Sequence, residues 1–282
     1  MKEALLISIV SNRYQIFLDG DIHVATAMGK LRLGDKPLVG DRLLVDFIEE
    51  KWVIQKVINR KNQLVRPFVA NVDQALIVMS LKEPDFSYTL VDRLIFLVGY
   101  SEIEPILVLS KADLVDPSKI EEVLHEYRNY KVIVSGHNLP TKPLEDILRG
   151  KLSVLAGQSG VGKSSILNRI NENFKLNTQE ISKALGRGKH TTRHNQLYDV
   201  AGGWIADTPG FSSLDFSLLD KLTFSQRIPD FQPYDGQCRY RDCKHLKEPG
   251  CKVKEMVEEG VLSQSRYDHY VECFEMIKEP SL

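Results

Sequence analysis

Apolar residues between positions 4 and 57 come in short runs separated by turn-forming residues. Ala4 to Val10 is the first run. Tyr14 to Leu18 and Ile22 to Ala25 flank Asp19-Gly20-Asp21, a hairpin signal. Arg42 to Phe47 follows Val39-Gly40-Asp41, and Trp52 to Val57 follows Glu49-Glu50-Lys51. Short strands with turn signals between them and no helical period predict a small β-barrel of the OB-fold type over residues 1–65. Asn59 to Gln63 is polar throughout and reads as a linker.

From Ala75 the period alternates. Ala75 to Ser80, Ile106 to Leu109, Val132 to Val134 and Leu152 to Ala156 are short continuous apolar runs, the mark of buried strands. Helical spacing fills the intervals at Val91 to Val98, Ile120 to Tyr130 and Pro143 to Leu148, and resumes at Ser165 to Ile170. This rhythm predicts a mostly parallel sheet with helices on both faces over residues 66–220. Residues 221–282 read as a mostly helical module. Tyr267, Tyr270, Val271, Phe274 and Ile277 form a packing stripe there, with Cys273 beside it in the core. The expected class is therefore multi-domain: barrel, α/β domain, helical module.

Composition adds little to this picture. A hydrophobic share of 43% and a net charge of −1 are ordinary, and argue neither for nor against a nucleic-acid partner. Residues 1–70 carry eleven Lys/Arg against eight Asp/Glu, a surplus an ordinary solvated surface accounts for. The apolar run at Ala4 is too short for a membrane span and no small-residue cleavage site follows it, so a cytosolic protein without membrane partners is expected.

Strand-end loops on such sheets carry the chemistry. Gly157-Gln158-Ser159-Gly160-Val161-Gly162-Lys163-Ser164 fits G-x-x-x-x-G-K-[ST] between a strand and a helix, the phosphate-binding P-loop. Glycines let backbone N–H groups face a phosphate, and the N-terminus of the helix that starts at Ser165 adds partial positive charge. Lys163 is expected on the β/γ-phosphates and Ser164 on Mg²⁺. The strand at 106–109 runs into Ser110-Lys111-Ala112-Asp113, which resembles the [NT]KxD guanine motif of GTPases with Ser in place of the usual Asn. A carboxylate at Asp113 can accept from guanine N1–H and the exocyclic amine, and Lys111 can lay its stem on the base. Ser135-Gly136 is similar to the short loop whose backbone touches guanine. Asp207-Thr208-Pro209-Gly210 is D-x-x-G at a strand end: Asp207 for Mg²⁺ through water, the Gly210 N–H for the γ-phosphate. Between them, Gly186 to Arg193 is a glycine-rich basic loop. By resemblance to GTPase switch I, Thr192 closes over Mg²⁺, with Thr191 as the alternative.

The order is unusual. The base-reading loops precede the P-loop and the switches follow it, so the chain looks like a circularly permuted GTPase. Downstream, Cys238, Cys243, His245 and Cys251 make C-x4-C-x-H-x5-C, a donor set suited to one closed, structural tetrahedral Zn²⁺.

Barrel, permuted GTPase and C-x4-C-x-H-x5-C module together resemble the bacterial ribosome-small-subunit-dependent GTPase A family over essentially the whole chain. That resemblance implies an OB-fold and GTP hydrolysis to GDP stimulated by the small ribosomal subunit. It also implies a role in the subunit's late maturation, contact with its rRNA, and a cytoplasmic location. A monomer is expected. Ras-type enzymes place a Gln after D-x-x-G to orient water; here Phe211 stands there, and the resemblance points instead to His190 of Gly188-Lys189-His190-Thr191-Thr192. The alternative is a P-loop ATPase or small-molecule kinase without ribosomal ties; ATP bound as well as GTP is its signature.

Overall fold

A computed structural model describes residues 1–10, 13–27, 36–64, 68–171, 196–206 and 214–278. Seven strands come first: β1 (Lys2–Val10), β2 (Arg13–Leu18), β3 (Asp21–Ala27), β4 (Arg42–Ile48), β5 (Lys51–Val57), β6 (Gln63–Leu64) and β7 (Val69–Ala70). The order continues β8 (Gln74–Ser80), α1 (Tyr88–Tyr100), β9 (Glu104–Ser110), α2 (Pro117–Glu126), β10 (Lys131–Val134), α3 (Lys142–Leu148), β11 (Leu152–Ala156) and α4 (Lys163–Ile170). It ends with β12 (Leu197–Val200), β13 (Gly203–Ala206), α5 (Lys221–Gln226), α6 (Lys252–Glu258) and α7 (Gln264–Met276). None of the described helices is long and apolar enough to cross a membrane.

Two compact units share the chain. The first holds Met1–Gln74, Thr141–Leu155 and Ser164–Phe211; the second holds Ala75–Pro140, Ala156–Lys163 and Ser212–Leu282.

In the first unit, β1-β2-β3-β5-β4 close into a barrel in OB-fold order, β3 and β5 running parallel. Its core is Leu6, Ile16, Ala25, Leu43, Val45 and Ile54, contributed by alternate positions of each strand. The β2–β3 turn is Asp19-Gly20 with φ of 53° and 98°, the doubly left-handed geometry for which Asp-Gly is suited. The β4–β5 turn has the same form at Glu49 and Glu50, φ 50° and 59°, where neither residue is suited to it.

The polar stretch 59–63 is not a loose linker. The Arg60 guanidinium grips the fully buried Asp41 through Nε at 2.7 Å and Nη2 at 2.9 Å, and the Asn62 side chain pairs with the backbone of Val72. A polar run spent on buried partners looks identical, in pattern, to one spent on solvent. Asp73 then accepts from Leu152 N at 2.6 Å, and the Gln74 amide donates to Ile147 O and Ser153 Oγ, anchoring the chain to β11.

The hydrogen-bonded order of the main sheet is β10-β9-β8-β11-β13-β12. β10 runs parallel to β9 and β11 to β13, while β12 joins β13 as an antiparallel hairpin that the apolar pattern did not announce.

In the second unit a buried arginine ties three helices together. Arg266 on α7 reaches Asp92 on α1 at 3.1 Å, Glu126 at the end of α2 at 3.1 Å, and Asp230 at 2.9 Å. Its guanidinium lies over the rings of Tyr127 (4.6 Å) and Tyr130 (5.3 Å). Their hydroxyls donate to Asp92 and Asp230 respectively. This explains why α2 stops at Glu126, although apolar spacing extends to Tyr130. Both tyrosines turn inward to serve buried carboxylates. The stripe on α7 is packed as expected, with Tyr270, Cys273, Phe274 and Ile277 buried.

Candidate nucleotide site and metal centre

The phosphate loop leaves the end of β11 and passes beside β8. Gly157 has φ 128°, and a Cβ there would lie 2.2 Å from the carbonyl oxygen of Val78, so glycine alone fits. Gly160 and Gly162 also lie in the left-handed region, at φ 83° and 94°. The Lys163 ammonium turns back over the loop and donates to Gly157 O at 2.6 Å and Gln158 O at 2.7 Å. That places a cation at the loop's mouth; burial lowers its pKa below the ordinary lysine value. Ser159 is exposed, Val161 is buried beneath the loop, and Ser164 and Ser165 are exposed in the first turn of α4.

The base-reading loops sit against it. Ser110 is buried, and its hydroxyl donates to Val161 O at 2.5 Å and faces Met79 O at 3.3 Å. It joins the end of β9 to the P-loop, a task its sequence position as a replaced Asn did not reveal. Lys111 adopts a left-handed backbone conformation, φ 56°, and its ammonium donates to Glu83 O. Ala112 N donates to Ser135 O at 3.1 Å, and Ser135 N to Leu109 O at 2.7 Å. These two bonds hold the 110–113 and 135–136 loops side by side. Asp113 is exposed, with Oδ1 accepting from His137 N at 2.8 Å. A Cβ on Gly136 would stand 2.7 Å from that same oxygen, so glycine is what lets the carboxylate lie flat against the second loop. Sequence offered no sign of His137 or Glu83 in these roles, since both act through backbone atoms.

Thr192, Asp207, Gly210, Phe211 and His190 lie outside the described residues.

The four metal-ligand candidates do meet. One donor atom from each of Cys238, Cys243, His245 and Cys251 lies within 4.8 Å of the others. Cys238 Sγ is 3.6 Å from His245 Nδ1 and 4.0 Å from Cys251 Sγ, and His245 Nδ1 is 3.4 Å from Cys251 Sγ. Bonds of about 2.3 Å to sulfur and about 2.0 Å to nitrogen in a tetrahedron require edges of roughly 3.5–3.8 Å, so the donor set fits a four-coordinate ion. The supporting residues come from α7 and from Glu248. Tyr267 donates to His245 O at 2.7 Å and Tyr270 to Lys244 O at 2.6 Å, while Glu248 accepts from Lys244 N and Leu246 N. Burial raises the Cys243 thiol to about 12 and lowers His245.

Phosphate loop, guanine-type loops and a Cys3His centre follow one another in permuted order, and comparison with known proteins agrees. The family model described as RsgA GTPase matches residues 57–217. The chain belongs to the RsgA GTPase family. It is 43% identical, over 99% of its length and 98% of the relative's, to the small ribosomal subunit biogenesis GTPase RsgA of Geobacillus kaustophilus. It is 41% identical to the protein of the same name from Enterococcus faecalis, over 93% of this chain and 91% of that one. Among solved structures it resembles YjeQ from Thermotoga maritima, with a TM-score of 0.84, 34% identity and 99% of each chain covered. It also resembles YloQ, a circularly permuted GTPase, with a TM-score of 0.82, 34% identity and 100% and 97% of the two chains covered. The chain is thus a GTP-hydrolysing enzyme of permuted architecture, and the ATPase or kinase alternative is not favoured.

Proposed function

We propose that this RsgA-family GTPase acts on the small ribosomal subunit during its late maturation and that the subunit, through its rRNA, stimulates hydrolysis. The similarity that carries this reading is the 43% identity along 99% of the chain to a small ribosomal subunit biogenesis GTPase. In this reading Asp113 reads guanine with Lys111, Ala112, Ser135 and Gly136 around the base. Residues 157–165 hold the phosphates, and Lys163 stabilises the charge that develops on them. Ser164, Thr192 and Asp207 hold Mg²⁺, Gly210 senses the γ-phosphate, and His190 orients the attacking water in place of the Gln that Phe211 replaces. Mg²⁺ held there would supply charge neutralisation at the phosphates.

A Cys3His donor set favours Zn²⁺ at 238–251, bound without an open position and so structural. The working division is 1–65 for the barrel, 66–220 for the GTPase domain and 221–282 for the zinc module, in a cytoplasmic monomer. The deciding experiment is GTP turnover with and without purified small subunits. At least a tenfold rise is expected, and an unchanged rate overturns the proposal. Single-turnover hydrolysis by His190→Ala with subunits present assigns the water: an unchanged rate at unchanged binding removes His190.

A further inference from the structure

Apart from the nucleotide site, the first unit contains a crevice of about 220 Å³. One wall is barrel, with Leu5 and Arg42; the other is the Gly150-Lys151 turn and Trp204 of β13. Its floor carries Asn59, Lys61 and Asp73.

The polar groups divide into spent and unspent. Asp73 is spent: one carboxylate oxygen accepts from Leu152 N and the other from the Lys61 ammonium. The side chains of Asn59 and Lys151 have no hydrogen-bond or ion-pair partner among the described residues. Arg42 has only Glu3 at 3.9 Å, with both side chains more than half exposed. Such a contact contributes little. Three cations against one carboxylate leave the lining positive in a chain of net charge −1. Trp204 is half-buried. The Phe17 ring packs on its indole at 5.0 Å with the ring planes at 66°, and Trp204 lines the crevice.

A flat aromatic surface, a free amide and two free cations in one small concavity suit a base attached to phosphate. The ring stacks, the amide reads a base edge, and the cations take phosphate oxygens. An acidic peptide would engage the cations and leave the indole without a partner. The volume lies below the ~300–1,000 Å³ typical of small-molecule sites, which suits one base rather than a stacked pair. We propose that this crevice takes a single unstacked nucleotide of RNA, its base against Trp204 and its phosphates on Arg42 and Lys151. The choice of RNA rests on the ribosomal reading above. Asp207 follows Trp204 by three residues, so the occupant would touch the strand that leads into D-x-x-G.

The chain has two tryptophans, so Trp52→Phe makes Trp204 the sole reporter. With GDP saturating the P-loop, a six-residue adenosine oligoribonucleotide should quench its fluorescence saturably. Two phosphate contacts predict a log–log salt slope near −1.4, at roughly 0.7 per phosphate on a single strand. Arg42→Glu with Lys151→Glu, both exposed positions, should weaken binding at least tenfold while leaving basal GTP turnover and the circular-dichroism spectrum unchanged. Absence of quenching, or equal affinity in the charge-reversed variant, overturns the proposal. AMP binding as tightly as the oligonucleotide overturns the RNA assignment in favour of a free nucleotide. Competition by tripolyphosphate at equal affinity reduces the crevice to an anion site and also overturns it. Subunit-stimulated turnover is measured separately. Stimulation retained without quenching refutes the crevice alone, whereas no stimulation of the native chain refutes the ribosomal reading.

Discussion

Replacing Arg266 by leucine tests the second unit most severely. The side chain is 6% exposed, and its partners Asp92 and Asp230 are 3% and 4% exposed. Glu126, at 32%, turns to solvent when the guanidinium is gone. Asp92 keeps the Tyr127 hydroxyl at 2.9 Å and His269 Nδ1 at 2.7 Å, so it retains a group able to carry positive charge. Asp230 keeps only the Tyr130 hydroxyl among the described side chains, and becomes the uncompensated buried charge. Removing one partner of a buried ion pair costs about 3–5 kcal/mol. At roughly 2–4 °C per kcal/mol, the melting temperature should fall by about 6–20 °C.

Adding Asp230→Leu removes the orphan charge and should recover most of the loss. The pH dependence has a definite sign. Burial pushes the Asp92 carboxyl above its ordinary range, and Arg266 is the strongest of the groups pulling it back. Without Arg266 the folded-state value rises further above the unfolded one. The penalty on the charged form is then full at neutral pH and fades as pH falls through the raised value. Thermal melts from pH 5 to 8 should therefore show the deficit of Arg266→Leu narrowing toward pH 5. A melting temperature within about 2–4 °C of native at pH 7, or a deficit independent of pH, refutes this account.

The nucleotide site offers two contrasting variants. Ser110→Ala removes the bond to Val161 O at 2.5 Å and should weaken GTP and GDP about equally, by ~1–3 kcal/mol, because it loosens the loop and touches no base. A change in purine preference, measured by competition, would show that Ser110 reads the base. Asp113→Asn should do the opposite, exchanging preference for GTP for xanthosine triphosphate with loop stability unchanged. At the metal centre, Cys251→Ser should lower bound metal below one ion per chain. Because burial raises the Cys243 thiol to about 12, loading must release protons and affinity should fall as pH falls, as read by competition with a chromophoric chelator. In the barrel, Glu49→Asn with Glu50→Gly should raise stability by roughly 1 kcal/mol, since both positions hold positive φ that this pair adopts without strain; an unchanged or lower melting temperature contradicts that.

Reading from sequence succeeded where the signal is local. Barrel strands, the strand–loop–helix around Gly157 and the Cys238–Cys251 spacing each follow from residues within a few positions of one another. It failed where a polar residue serves a distant buried partner. Arg60 and Asp41 are 19 positions apart, Arg266 and Asp92 are 174, and in a linear pattern each reads as solvated surface. Ser110 is the instructive case within the site. Its motif position suggested base recognition with a shortened side chain; the structure adds a bond from the hydroxyl to a carbonyl 51 residues away, which the motif does not announce.

That bond also bears on why a permuted order supports the same pocket. The ends of β8, β9, β10 and β11 supply these ties: Gly157 runs against Val78 O, Ser110 faces both Met79 O and Val161 O, and Ser135 N returns to Leu109 O. Every one of these ties is a contact between loops at strand ends, and none depends on which strand the chain visits first. Moving the chain ends therefore leaves these loop contacts intact provided the strand ends stay in register. What permutation changes is the sequel. The segment after D-x-x-G leads next into α5 and then the Cys3His centre, rather than into a base-reading loop.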